Sequence, residues 1–228
     1  MIQKTLSAKG RLSARPRGSA NRPRPGLQPL SLRSKRDALL YVPNTKSNGE
    51  QPMPLVVSLH GAGGNERHGM ELLQAQAEAH GVILLSPASR LQSWDVIMDG
   101  FGPDVEFLDT ALERTFALCQ IDAARVAISG FSDGASYALT LGLTNGDLFT
   151  DILAFSPGFT AHSSTAGKPR IFVSHGMRDT VLPIERCSRR LVPKLKAAGY
   201  DVDYREFEGP HTVPPEMSAA AFAQLLDL

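Results

Sequence analysis

Residues 127–138 read AISGFSDGASYA, and the serine at 132, set between Gly130 and Gly134, decides how the chain is folded. The run before it, Arg125-Val126-Ala127-Ile128, has the small and β-branched apolar residues of a buried strand. The run after it, from Ala135 to Leu141, holds few breakers and predicts a helix. A hydroxyl at such a junction suits a plain helix N-cap. It also suits a nucleophile held on a sharp turn. The glycines favour the second, because they leave room where a Cβ would collide with the neighbouring strand and helix. The turn then lifts the serine Oγ to the top of the sheet.

Working outward, short apolar runs alternate with longer helical stretches. Strands are expected at 38–42, 55–60, 82–86, 125–129, 151–155, 171–174 and 202–207. Helices are expected at 65–80, 103–119, 184–198 and 214–226, with Gly81 and Gly199 as stops. Such alternation predicts an α/β protein whose mostly parallel twisted sheet is covered by helices on both faces. Ligands of these sheets bind beyond the carboxyl ends of the strands, so strand ends are where chemistry is sought.

Four strand ends carry suitable residues. His60-Gly61-Ala62-Gly63-Gly64-Asn65 is a glycine-rich turn able to expose backbone N–H groups to an anion, and it is not a phosphate-binding Walker loop, since no Gly-Lys-Ser/Thr follows. Gly130-Phe131-Ser132-Asp133-Gly134 fits Gly-x-Ser-x-Gly. Asp179 lies in a loop after the strand ending near Ser174, where it is either a helix cap or a functional acid. His211 follows the last strand in a Gly/Pro-rich loop. Serine, then acid, then histidine, each just past a strand, is the chain order of a hydrolase triad. Serine is a poor nucleophile at neutral pH, so His211 is expected to take its proton and Asp179 to orient the imidazole. The backbone N–H groups of Ala62 and Asp133 are the expected oxyanion donors.

The segments LVVSLHGAGG, GFSDGASYAL, HGMRDTVLPI and GPHTVPPE resemble, in order, the four motif blocks of the small phospholipase/carboxylesterase family of α/β-hydrolase serine esterases. The likeness spans about residues 37–228. It implies hydrolysis of carboxylic esters through an acyl-enzyme, with no metal and no organic cofactor. The family motif often has a polar residue where Asp133 stands. Lysophospholipids, acyl thioesters and hydroxyalkanoate oligomers remain alternative substrates, and a non-catalytic hydrolase-fold binding protein is the rival of another class. Relatives of this kind are often monomers or homodimers.

Other residues near these loops admit bland readings as well. His60 and His175 are expected to be structural, His60 by supporting the oxyanion loop. Trp94, in the long loop after the strand at 82–86, either walls a substrate pocket or plugs the core. Phe131, Gly63 and Phe159 are further pocket candidates. Between Ser156 and Arg170 only thirteen residues intervene, too few for a helical cap domain, which predicts an open site taking small or accessible esters.

Composition sets the remaining bounds. With 228 residues and a net charge of +1, the chain fits one α/β domain and carries no global signal for nucleic acid or an anionic membrane. The basic residues are uneven: from Lys4 to Arg36 there are ten Lys or Arg and no acid. Residues 1–30 therefore read as a basic, Pro-rich segment that is poorly ordered or extended, or as an arm for a polyanion. Residues 31–228 are expected to form a single domain. No apolar run suggests a signal peptide or a stable membrane insertion, so a cytoplasmic location is expected. Cys119 and Cys187 are too far apart in sequence to suggest a disulfide framework. The scattered histidines suggest no metal site.

Overall fold

The computed structural model describes residues 9–19, 21, 23–44, 51–98, 100–162 and 164–228. In chain order the elements are β1 (Gly26–Pro29), β2 (Ala38–Val42), β3 (Met53–Leu59), α1 (Glu66–His80), β4 (Ile83–Pro87), α2 (Asp95–Met98), α3 (Pro103–Leu118) and β5 (Ile121–Phe131). They continue with α4 (Asp133–Thr144), β6 (Asp151–Phe155), β7 (Arg170–Gly176), α5 (Ser188–Ala197), β8 (Val202–Phe207) and α6 (Pro215–Leu226).

The eight strands form one sheet in the order β1-β2-β4-β3-β5-β6-β7-β8. β1 with β2 and β2 with β4 are antiparallel, and the remaining pairings are parallel. Side chains of successive strand residues point to opposite faces, so each central strand feeds two cores. Leu55, Val57 and Leu59 of β3 join Val126 and Ile128 of β5 and the apolar sides of α3, α4 and α5. Val56 and Ala127 join Leu153, Phe155 and Phe172 against Met70, Leu73 and Ala77 of α1 and Ala221, Phe222 and Leu225 of α6. Burying each Leu, Ile, Val or Phe side chain contributes roughly 1.5–3 kcal/mol. Both faces are covered, which is why these strands read as apolar runs rather than as alternating ones.

Three departures from the sequence reading have local causes. β1 is a four-residue edge strand ending in Pro29, too short for a periodic signal and at an edge, where a missing N–H is tolerated. The expected helix at 184–198 begins only at Ser188, because residues 183–187 form tight turns closed by Arg186 and Cys187 N–H bonds to the Pro183 carbonyl. α2 is a single four-residue turn. Cys119 and Cys187 are free, buried thiols at the end of α3 and the start of α5.

Residues within the basic N-terminal stretch lie along the body. Arg11 makes a two-pronged contact with the Asp147 carboxylate, both bonds at 2.8 Å. The N–H groups of Ser13 and Ala14 both donate to Oδ1 of buried Asp109 at 2.8 Å. Leu12 N–H donates to Asn145 Oδ1 at 2.9 Å, and Leu12 and Ala14 join the larger core. Among the described residues, the connection from β6 to β7 holds no helix, so no cap domain covers the carboxyl edge of the sheet.

Candidate active site

Ser132 sits at the turn from β5 into α4 with φ 59° and ψ −120°, a conformation that costs a residue bearing a Cβ on the order of 1–3 kcal/mol. Its surroundings hold it there. Its N–H donates to the Phe155 carbonyl at 2.9 Å, and its own carbonyl accepts from Ala135 and Ser136 in the first turn of α4. The turn closes only because both flanking residues lack a side chain. A Cβ on Gly130 would lie 2.3 Å from the Gly134 carbonyl carbon, and one on Gly134 would lie 2.4 Å from the Leu59 carbonyl oxygen.

The four strand-end loops are linked to one another by close contacts. A Cβ on Gly61 would come within 3.4 Å of Ser132 Cβ, so the glycine-rich turn after β3 lies directly beside it. The ring of Phe131 lies 4.5 Å from that of His211, centroid to centroid. A Cβ on Gly176 would strike the carbonyl oxygens of Gly209 and Pro210, so the loop after β7 is pressed against the one after β8.

His211 Nδ1 lies 2.5 Å from Asp179 Oδ2, which must accept, so Nδ1 carries the hydrogen and Nε2 is left as an acceptor. The other oxygen, Asp179 Oδ1, accepts from the N–H groups of Val181 and Leu182 at 2.9 and 2.8 Å. Burial pushes this carboxyl upward, but the His211 hydrogen bond and the two amides outweigh it and hold its pKa below the ordinary carboxylate value. Asp179 is thus a buried, ionised acceptor at neutral pH.

In the glycine-rich turn, Gly63 has φ +70° and its N–H is spent on the Gln92 carbonyl at 2.7 Å. Gly64 N–H donates to the Gly61 carbonyl. The N–H of exposed Ala62, between them, and that of Asp133, the first residue of α4, make no hydrogen bond among the described residues. The Asp133 carboxylate accepts from the Ser93 hydroxyl at 2.7 Å. Beneath the turn, buried His60 accepts from Ser89 N–H through Nε2 at 3.0 Å. Its Nδ1 therefore donates to the Gly61 carbonyl at 2.7 Å. Burial lowers its pKa and keeps it neutral.

Trp94 does not wall a pocket. It is 1% exposed, stacked on Tyr137 of α4 with centroids 5.0 Å apart, and its Nε1–H donates to the His60 carbonyl at 2.9 Å. The indole is a plug that supports the glycine turn from below, and its N–H finds a partner as a buried tryptophan's should. Phe131 is half-buried against His211, Gly63 is on the open rim, and Phe159 is exposed at the rim with its N–H directed at Ser136 Oγ. One contact has no sequence signal: Nε2 of buried His175 lies 3.2 Å from Asp179 Oδ2.

The family described as phospholipase/carboxylesterase matches residues 95–225, a span that contains Ser132, Asp179 and His211. No curated protein matches the chain significantly. Among solved structures, the esterase PE8 is similar at 24% identity with a TM-score of 0.66, over 82% of this chain and 96% of that one. The Bacillus cereus carboxylesterase is similar at 16% identity with a TM-score of 0.61, over 86% and 95%. FphF, a fluorophosphonate-binding serine hydrolase of Staphylococcus aureus, is similar at 16% identity with a TM-score of 0.66, over 89% and 96%. At such identities these structures speak for the fold, and the family match covers more than half of the sequence. The chain therefore belongs to the phospholipase/carboxylesterase family and is an ester hydrolase with the α/β-hydrolase fold.

Proposed function

We propose that the protein is a serine carboxylesterase that hydrolyses small or accessible carboxylic esters through Ser132, His211 and Asp179. The observation that carries this reading is the 2.5 Å contact between His211 Nδ1 and Asp179 Oδ2, which leaves Nε2 as the free base of the imidazole. Nε2 takes the proton of Ser132 as Oγ attacks the ester carbonyl carbon. The ionised Asp179 stabilises the imidazolium that forms. The carbonyl oxygen becomes an oxyanion held by the N–H groups of Ala62 and Asp133, each donor being worth about 3 kcal/mol in the transition state. Collapse expels the alcohol, protonated by His211, and leaves an acyl-Ser132 ester. Water, activated by the same base, then releases the acid.

Small esters are favoured by the short connection from β6 to β7, which leaves the carboxyl edge uncovered. The test is hydrolysis of p-nitrophenyl acetate, butyrate and octanoate by the wild type and by Ser132→Ala. Ser132→Ala is expected to lose activity by about a thousandfold or more, and KM is expected to rise with acyl length. Wild-type turnover by Ser132→Ala would remove the nucleophile assignment, and a marked preference for octanoate would remove the small-ester assignment.

A further inference from the structure

Asp179 faces two histidines. His211 approaches Oδ2 from the loop after β8, while His175, the penultimate residue of β7, reaches the same oxygen from inside the fold. His175 is fully buried, and both of its ring nitrogens are engaged. Nε2 lies 2.8 Å from the Leu182 carbonyl oxygen, which only accepts, so Nε2 carries the hydrogen. Nδ1 is then an acceptor, and the buried Ser188 hydroxyl at the start of α5 donates to it at 2.7 Å. Burial lowers the pKa of His175, which agrees with this neutral form.

The consequence is a closed clamp. Leu182 is held through both of its backbone polar groups: its carbonyl by His175 Nε2–H, and its N–H by Asp179 Oδ1 at 2.8 Å. Whatever fixes Leu182 thereby fixes the carboxylate. His175 Nε2 also stands 3.2 Å from Oδ2, on the side of the carboxylate that His211 uses. The groups around the imidazole are Asp179, His211 and Ser188, with Glu206 as its register partner on β8 and the Cys187 thiol next to Ser188. Glu206 is itself engaged by Arg189 and Tyr204. Cys187 is pushed up by burial and stays a thiol.

We propose that His175 is a positioning residue for ester hydrolysis: as a neutral Nε2–H donor locked by Ser188, it anchors Leu182 and so aims the Asp179 carboxylate at His211. It touches neither the substrate nor the reacting atoms. The proposal rests on the triad reading above. A misaimed carboxylate stabilises the imidazolium less, and small misplacements of this kind are costly in turnover.

The experiment measures kcat and KM for p-nitrophenyl acetate as a function of pH in the wild type, His175→Leu, His175→Gln, Ser188→Ala and Ser132→Ala, with a thermal melt of each. His175→Leu removes the donor and is expected to lower kcat about tenfold or more with KM changed less than about twofold. The acid limb of its kcat/KM profile is expected to move to lower pH, because the general base loses part of its anionic support. His175→Gln, whose side-chain amide can donate to Leu182, is expected to recover most of both effects. A merely structural histidine would alter the melt and leave the limb in place. A limb that stays put or rises in folded His175→Leu overturns the proposal, as does unchanged kcat. Should His175→Leu not fold, Ser188→Ala decides: about a threefold or larger loss of kcat with a lowered limb supports the clamp, and wild-type behaviour refutes it. If Ser132→Ala keeps wild-type turnover, the triad reading fails and takes the clamp with it. If Ser132→Ala is inactive while the other variants match the wild type, the clamp fails and the triad reading stands.

Discussion

A single β-carbon at residue 134 would lie 2.4 Å from the Leu59 carbonyl oxygen and 2.5 Å from that of His60. Both are backbone atoms at the end of a central strand, with no freedom to yield. Gly134→Ala is therefore expected to cost roughly 3 kcal/mol or to prevent folding, read from the urea midpoint. A wild-type midpoint would mean that α4 docks less closely than the contact requires. At Asp179 the concern is charge and tautomer. Asp179→Asn keeps the shape but gives the imidazole a partner that can donate as well as accept, so the ring can be held in the wrong tautomer. Under the proposed mechanism kcat falls by about a thousandfold or more with the fold intact; near-normal turnover would remove Asp179 from the mechanism. The residue types at these positions were legible in the sequence because each follows a strand. The second histidine on Asp179 was not, since nothing in HGMRD says whether the ring turns toward the acid or away from it.

Elements are stabilised by features that are partly written in local sequence. α1 starts at a reciprocal cap: Asn65 Oδ1 accepts from Arg67 and His68 N–H, and His68 Nδ1 accepts from Asn65 N–H. Asn65→Ala removes the side-chain half and is expected to cost about 1 kcal/mol, lowering the melting temperature by about 2–4 °C. An unchanged melt would show that tertiary contacts hold that turn without the cap. Cys119 closes α3, and burial pushes its thiol up to about 12. Thiolate is the reactive form, so a disulfide reagent at pH 8 should leave Cys119 unmodified until denaturant is added. Fast labelling of the native protein would contradict the packing of that helix end. Helix stops at Gly81 and Gly199 were readable, whereas the turns at 183–187 were not, because Pro183 leads into them with residues that also suit a helix.

For the molecule as a whole, the N-terminal stretch is held by pairs of residues more than ninety positions apart. Arg11 and Arg15 both meet Asp147, and hydrogen bonding from Arg11 holds that carboxyl down to about 2. With the folded pKa below the unfolded value near 4, this contribution is fully present above about pH 4. It is lost as the pH falls toward 2. Pepsin should therefore cut within residues 9–19 at pH 2 well before it cuts the body, with the arm protected at pH 5. Equal cleavage at both values would show that the clamp does not hold the arm. Because Arg11 and Arg15 are committed to Asp147, the basic composition of this stretch overstates the charge it can offer to a polyanion.

The sequence by itself determined the α/β class, the order of serine, acid and histidine, each just past a strand, and the family. All of these depend on local patterns: apolar runs, glycine spacing, and residues one to four positions past a strand. The tertiary structure decided what depends on contacts between distant segments. It placed Trp94 beneath the glycine turn, because the indole stacks on Tyr137 from another helix. It laid Leu12 to Ala14 on Asn145 and Asp109. It brought His175 and His211 to one carboxylate, since neighbouring parallel strands carry both of their loops to the same edge. Local spacing cannot encode such meetings, because each is set by how separate segments of the chain pack against one another.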